Sequence, residues 1–201
     1  MIKLAIFDVD GVLNDYSPTR YRSYLGGLAG ITVEEASEAV QPLINLLAVG
    51  QITLDMFESS VAEKLNIKKE QVRWVDYYKG IERNEEVAKI AMELRANGYL
   101  ITLMTNEDAS RSTMIKSRFN DLMDFYFVSC EMKLLKPDPE AYRYVIAQLK
   151  KALQATVFPS GMVFIDDTKI NVDAAVRLGM RGYLFTTAAD LRAQLAPLLQ
   201  R

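Results

Sequence analysis

Short runs of consecutive apolar residues punctuate the chain at Lys3 to Val9, Tyr99 to Thr105, Phe125 to Ser129, Met162 to Ile165 and Gly182 to Phe185. Several are rich in Ile, Val, Phe and Tyr, and runs without polar alternation fit strands buried on both faces. Between them, apolar residues recur at helical spacing over Asn84 to Ala96, Ala109 to Phe119, Pro139 to Leu153, Ile170 to Leu178 and Ala188 to Leu199. Gly98 and Gly179 stand just past two of these helices, and Pro137 and Pro139 stand before another, where helix ends and starts favour them. Strands alternating with helices predict an α/β fold whose parallel sheet is covered on both sides. Ligands bind such sheets at the carboxyl ends of the strands.

The stretch from Asp15 to Arg83 is too long for a simple crossover between the first two strands and carries few strand-like runs. It predicts an inserted helical lid, with helices at Arg20 to Leu28, Thr32 to Leu47, Thr53 to Leu65 and Lys68 to Tyr78. Thr32 with Glu35 forms a capping-box pattern, and Thr53 before Met56 offers a second N-terminal start. The expected division is a core of residues 1–14 and 84–201 and an insertion of residues 15–83.

Composition narrows the chemistry. The 201 residues suffice for one compact domain with a small insertion and a sizeable core. With 24 basic and 26 acidic side chains the net charge is −2, so no global field draws in nucleic acid or an anionic membrane. The longest uncharged stretch, within Ala39 to Leu54, falls below the roughly 20 apolar residues that span a bilayer. The single cysteine, Cys130, excludes an intrachain disulfide framework and suits a reducing, cytoplasmic location. No histidine occurs, which removes Ser-His-Asp and Cys-His catalysis and every His-ligated metal site. Proton transfer is left to carboxylates, lysine or tyrosine.

The polar residues at the strand ends then stand out. Asp8 and Asp10, two apart, would share a face of a continuing strand, and a carboxylate that attacks phosphorus needs a neighbour to move protons. Asp-Val-Asp-Gly is equally a favoured turn sequence. Thr105 and Asn106 end the second run; a hydroxyl and backbone amides there would cradle a phosphoryl oxygen, or cap a helix. Lys136, before Pro137-Asp138-Pro139, would supply a point charge to a phosphoryl group and offset repulsion among the acids, with Lys133 as a competitor. Asp166 and Asp167 offer hard oxygen ligands suited to Mg²⁺, though one of the pair can cap the following helix. In the insertion, Arg20 and Tyr16 are named as substrate contacts, and Arg22, Trp74, Tyr77 and Tyr78 are also within consideration. The competing expectation is that the aromatics form the lid's core and the arginines are solvated. A cysteine-phosphatase loop is set aside because Lys136, not arginine, follows Cys130, which reads as a small buried residue; a Gly-rich nucleotide-triphosphatase loop is lacking too.

The order Asp-x-Asp-Gly, Thr-Asn, Lys-Pro-Asp-Pro and Asp-Asp-x-x-x-Asn, with Ser129-Cys130-Glu131 and Asn171, resembles the haloacid dehalogenase-like hydrolase superfamily from about Lys3 to Phe185. The resemblance implies a Rossmann-like core with a small helical cap inserted after the first motif. It implies Asp8 as a nucleophile forming an aspartyl-phosphate, Asp10 as general acid/base, and Thr105, Asn106 and Lys136 as phosphoryl binders. It further implies a Mg²⁺ site of Asp8, the Asp10 carbonyl and Asp167, assisted by Asp166. Asp10 favours phosphate-ester hydrolysis over carbon–halogen cleavage, because the family's dehalogenases lack that acid. Lys133 and the pair Glu107-Asp108 depart from the family pattern. The expected activity is a Mg²⁺-dependent phosphatase for a small phosphorylated metabolite. A phosphomutase is the alternative, with a dehalogenase or a phospho-aspartate receiver further off. Neither nucleic acid nor membrane is an expected partner, and the oligomeric state is not legible.

Overall fold

The computed structural model describes residues 2–199; Met1, Gln200 and Arg201, which the expected boundaries assign to the core, lie outside the described residues. Five parallel strands form one sheet in the order β3-β2-β1-β4-β5: β1 Lys3–Phe7, β2 Tyr99–Thr105, β3 Phe125–Val128, β4 Met162–Asp166 and β5 Arg181–Leu184. The first strand is central. The connection that leaves it runs toward β2 and the one that leaves its other neighbour, β4, runs the opposite way toward β5, which opens a crevice between the carboxyl ends of β1 and β4.

The uninterrupted apolar runs follow from burial on two faces. Ala5, Phe7, Ile101, Leu103, Val163 and Ile165 point to one side, into a cluster with α5 (Glu85–Ala96), α6 (Ala109–Arg118) and α10 (Ala188–Leu199). Leu4, Ile6, Met104, Met162 and Phe164 point to the other, against α8 (Pro139–Leu153) and α9 (Lys169–Arg177). Among the described residues, no helix is long and apolar enough to cross a membrane.

Between β1 and α5 lie α1 (Pro18–Ala29), α2 (Val33–Ala48), α3 (Leu54–Leu65) and α4 (Trp74–Lys79), packed around their own cluster of Tyr21, Leu25, Val40, Phe57, Val61 and Trp74. Thr32 and Glu35 exchange both capping-box hydrogen bonds at the start of α2, and the Thr53 hydroxyl accepts from Met56 N–H at the start of α3.

Three local expectations need correction. The helix expected over Lys68 to Tyr78 is broken: Lys69–Gln71 is a 3₁₀ turn, and Arg73, at φ 50°, reverses the chain before α4. The first strand stops at Phe7 instead of running to Val9, because Gly11 at φ 78° turns the chain and the N–H groups of Val12 and Asn14 both bond the Val9 carbonyl. Ser129 does not end β3 but opens a one-turn helix, α7 (Ser129–Met132). Cys130 is buried, as its size and polarity suggest.

Gly182 marks a close approach between β5 and α9. A Cβ there would meet methyl groups of Val172 and Val176 at 2.7 Å each. Gly182→Ala is expected to destabilise the fold by about 1–3 kcal/mol through overpacking, read as a lowered urea midpoint; an unchanged midpoint would show that α9 can move away freely.

Candidate active site

The backbone of Asp8 is fixed before its side chain is. Its N–H donates to the Ile165 carbonyl at 2.9 Å, extending the β1–β4 ladder by one bond. The Asp8 Oδ1 then accepts from Val9 N–H at 2.7 Å and pairs with the Lys136 ammonium at 2.8 Å. The same ammonium donates to Asp166 Oδ2 at 2.6 Å, so one buried cation ties the ends of β1 and β4 together.

Lys136 is itself clamped. The Asn106 side chain spans its backbone, accepting from the Lys136 N–H and donating to the Lys136 carbonyl, both at 2.8 Å. The side chain of Asn106 therefore grips the lysine loop, while Thr105, beside it, lines the cavity. Lys133, the alternative cation, is exposed and lies over Gly50, away from the cluster.

Asp166 is fully buried. Its oxygens take Asn171 Nδ2 at 3.0 and 3.1 Å, Thr168 N–H at 2.9 Å and the Lys136 ammonium. Asp167 keeps more freedom: it is exposed and, among the described residues, accepts a side-chain bond from the Thr168 hydroxyl alone, at 3.1 Å. Carboxylate oxygens of Asp8, Asp166 and Asp167 lie within 4.8 Å of one another. Three carboxylates around one ammonium leave an excess of negative charge, and that set of hard oxygen donors fits a divalent cation such as Mg²⁺. Burial, followed by the charge of Asp166, pushes the Asp8 carboxyl well above the ordinary range despite Lys136. Desolvation also raises the Asp167 carboxyl. Burial alone would lower the Lys136 ammonium, but Asp166 and Asp8 outweigh it and hold the group charged.

Asp10 reaches the same cavity from the turn, not from a continuing strand. One carboxylate oxygen accepts from Asn14 Nδ2 at 3.2 Å and from the Tyr78 hydroxyl at 3.3 Å. The turn packs against Asp167: a Cβ on Gly11 would lie 2.1 Å from Asp167 Oδ2.

A cavity of about 470 Å³ connects these residues to the insertion. Tyr16 lines it, with burial pushing its hydroxyl up to about 12. Arg20 does not. It is exposed and sits beside Tyr77 and Asp15 at a separate pocket. Arg22, two residues and so roughly 200° further around α1, faces the cavity instead and donates to the Gln41 side chain, which in turn donates to Asn45 at 2.8 Å.

Sequence reasoning missed Arg111, the largest fully buried side chain. Its guanidinium pairs with Glu107 at 3.2 Å and lies 3.6 Å from the centre of the Trp74 ring and 4.4 Å from that of Tyr78. The available signal was the Glu107-Arg111 spacing of four, one helical turn, directly after the Thr105-Asn106 strand end. The Trp74 indole donates to Asp108 at 2.7 Å, so Trp74 both fills the insertion's core and reaches the loop after β2. The Ser129 hydroxyl adds a second tie, accepting from Glu107 N–H at 2.8 Å and donating to the Ala48 carbonyl at 2.7 Å.

Known proteins resemble this chain in sequence and in fold. A phosphatase of Mycobacterium tuberculosis is 27% identical over 203 residues, covering 95% of this chain and 90% of the relative. A D-ribitol-5-phosphate phosphatase of Bacteroides thetaiotaomicron is 21% identical over 212 residues, covering 99% of each. The crystal structure of a HAD family enzyme from Bacteroides thetaiotaomicron, in complex with magnesium and inorganic phosphate, superposes with a TM-score of 0.71 at 21% identity, covering 92% of this chain and 95% of that one. A family model described as haloacid dehalogenase-like hydrolase matches residues 2–179, and with nearly the whole chain matched, the protein belongs to the haloacid dehalogenase-like hydrolases.

Proposed function

We propose that the protein is a Mg²⁺-dependent phosphatase that hydrolyses a small phosphorylated metabolite through an aspartyl-phosphate on Asp8. The observation that carries this reading is the Lys136 ammonium held between Asp8 and Asp166, with Asp10 opening on the same cavity. The phosphatase relatives and the magnesium and phosphate bound by the structural neighbour support it.

In this reading a carboxylate oxygen of Asp8 attacks phosphorus in line with the ester oxygen. The bond to the leaving oxygen breaks, and Asp10 gives that oxygen its proton. Asp10 then takes a proton from water, which attacks the aspartyl-phosphate and releases inorganic phosphate, restoring Asp8. Lys136 and the Thr105 hydroxyl bind phosphoryl oxygens, with the neighbouring backbone amides. Asn106 contributes through its grip on the lysine loop. Asp8, Asp167 and the Asp10 carbonyl would hold Mg²⁺, and Asp166, whose oxygens are already shared among Lys136, Asn171 and Thr168, would orient the set. The cation supplies neutralisation of the charge gathered between the carboxylates and the phosphoryl group. The insertion, residues 15–83, acts as a cap that closes the cavity against bulk water.

A phosphomutase reading finds one favouring observation. Arg22, with Gln41 and Asn45, puts a cation and amides on the cavity's far wall, where a second phosphate would sit. Isomerised sugar phosphate in place of free phosphate as the product would decide for it.

Phosphate release from an aryl phosphate and a metabolite panel is expected to need Mg²⁺, to stop with chelator, and to fall to background in Asp8→Asn; release that survives the substitution would remove Asp8 as nucleophile. Gly11→Ala would push its methyl into Asp167, and release is expected to fall roughly 100-fold, as a misplacement of about 1 Å commonly costs. Unaltered release would show that Asp167 is not needed where it stands. Protons compete with the metal at Asp8 and Asp167, whose carboxyls are both raised. Apparent Mg²⁺ affinity, measured by calorimetry, is therefore expected to be weak at acid pH and to strengthen as pH rises through that raised range. A pH-independent affinity would place the metal elsewhere.

A further inference from the structure

Arg111 is not among the residues to which the family resemblance gives a role, and its surroundings are costly. The side chain is 2% exposed, and its Nε and Nη2 atoms have no hydrogen-bond partner among the described residues. Its Nη1 lies 3.2 Å from Glu107 Oε1 and 3.9 Å from Asp10 Oδ2, and its Nε lies 4.0 Å from Asp108 Oδ2. Buried ion clusters are seldom more stabilising than apolar groups of the same volume, and unpaired buried donors add to the cost. A cluster so poorly justified by stability calls for another use.

Its position supplies one. Asp10 stands in a turn beyond the end of β1, so no strand fixes its carboxylate. Oδ1 is held by Asn14 and Tyr78, and Oδ2 faces Arg111. The guanidinium that faces it is immobilised from two directions. Glu107 and Asp108 hold it from the loop and helix start after β2, and the Trp74 and Tyr78 rings of α4 cover it from the insertion. Tyr78 serves both groups at once, bonding Asp10 through its hydroxyl while its ring lies against Arg111. The rigid planar fork of arginine suits stacking of this kind, which the compact ammonium of lysine does not reproduce.

We propose that Arg111 is the positioning residue of the proton-transfer step: wedged between Glu107 and the α4 aromatics, it holds the Asp10 carboxylate toward the leaving oxygen, and only while the insertion is seated. This rests on the reading of Asp10 as general acid. It makes the Glu107-Asp108 pair, a departure from the family pattern, the counterion of a cation that aims the acid.

The test separates aiming from folding. Arg111→Met alone leaves Glu107 buried without its cation and is expected to lower the thermal midpoint. The double variant Arg111→Met with Glu107→Gln removes both charges and is expected to recover that midpoint. Its kcat/KM, which reports steps up to phosphoenzyme formation, is compared for an alkyl phosphate, whose leaving oxygen needs a proton, and a nitrophenyl phosphate, whose leaving oxygen needs almost none. The expected loss is about 100-fold for the alkyl ester and under about fivefold for the aryl ester. Arg111→Lys, which keeps the charge and guards against misfolding of the double variant, is expected to show the same inequality. Equal losses for both esters, or wild-type values in the recovered double variant, would overturn the proposal and leave Arg111 as charge balance for Glu107. Asp10→Asn is the internal control. If it shows no dependence on leaving group, the acid assignment falls and the proposal with it; if it shows one and the Arg111 variants do not, the positioning claim alone fails.

Discussion

One ammonium group, that of Lys136, sets the terms for the rest of the structure. It is buried at the carboxyl edge of the sheet, in contact with Asp8 at 2.8 Å and Asp166 at 2.6 Å. Neither carboxylate would tolerate that depth alone: removing one partner of a buried ion pair typically costs about 3–5 kcal/mol. The arrangement binds the end of β1 to the end of β4 and to the loop before α8, and Asn106 brings in the end of β2 by gripping the lysine's own backbone. Tyr142, from α8, donates to the Asn171 carbonyl at 2.9 Å and so fixes the residue that orients Asp166. Site and core are thus one construction.

The topology explains why these residues meet. With β1 central and the connections after β1 and β4 running in opposite directions, the loops after β1, β2 and β4 converge on one crevice, and the loop after β3 brings Lys136 across it. The insertion leaves from that same edge, so α4 returns over the crevice with Trp74 and Tyr77 packed in the insertion's hydrophobic cluster and Tyr78 in the core's. Beneath it lies the second buried cation, Arg111. The two cations differ in how fully they are used. Lys136 is matched to two carboxylates at close range, whereas Arg111 meets Asp10 only at 3.9 Å and leaves two donors without a hydrogen-bond partner among the described residues.

Much of this could be read from the chain. The strands were legible because burial on both faces writes them as unbroken apolar runs, and α8 and α10 keep their expected ends, with Asp138 capping α8. The motif residues Asp8, Asp10, Thr105, Lys136 and Asp167 line one cavity as their order along the chain implies. What was lost lies where tertiary or turn geometry overrides local pattern. Val9 has strand propensity but opens the turn that Gly11, at positive φ, lets the chain make. Ser129 has a strand-like neighbourhood, yet its hydroxyl is taken by Glu107 and Ala48. Arg73 interrupts a helical periodicity by adopting a left-handed conformation that its side chain does not advertise. Arg20 and Arg22 are chemically alike, and only the phase of α1 chooses between them. Arg111 was hidden by the ordinary rule that arginines are solvated; three aromatic side chains distant in sequence reverse it.

Whether Asp8 carries the phosphoryl group between substrate and water is decided by rapid quenching during turnover with Mg²⁺, followed by mass spectrometry of the peptide that contains Asp8. A phosphoryl adduct on Asp8 that forms and decays with turnover and is lost on hydroxylamine treatment is the expected result. Sustained turnover with an unmodified Asp8, or an adduct on another residue, would contradict it.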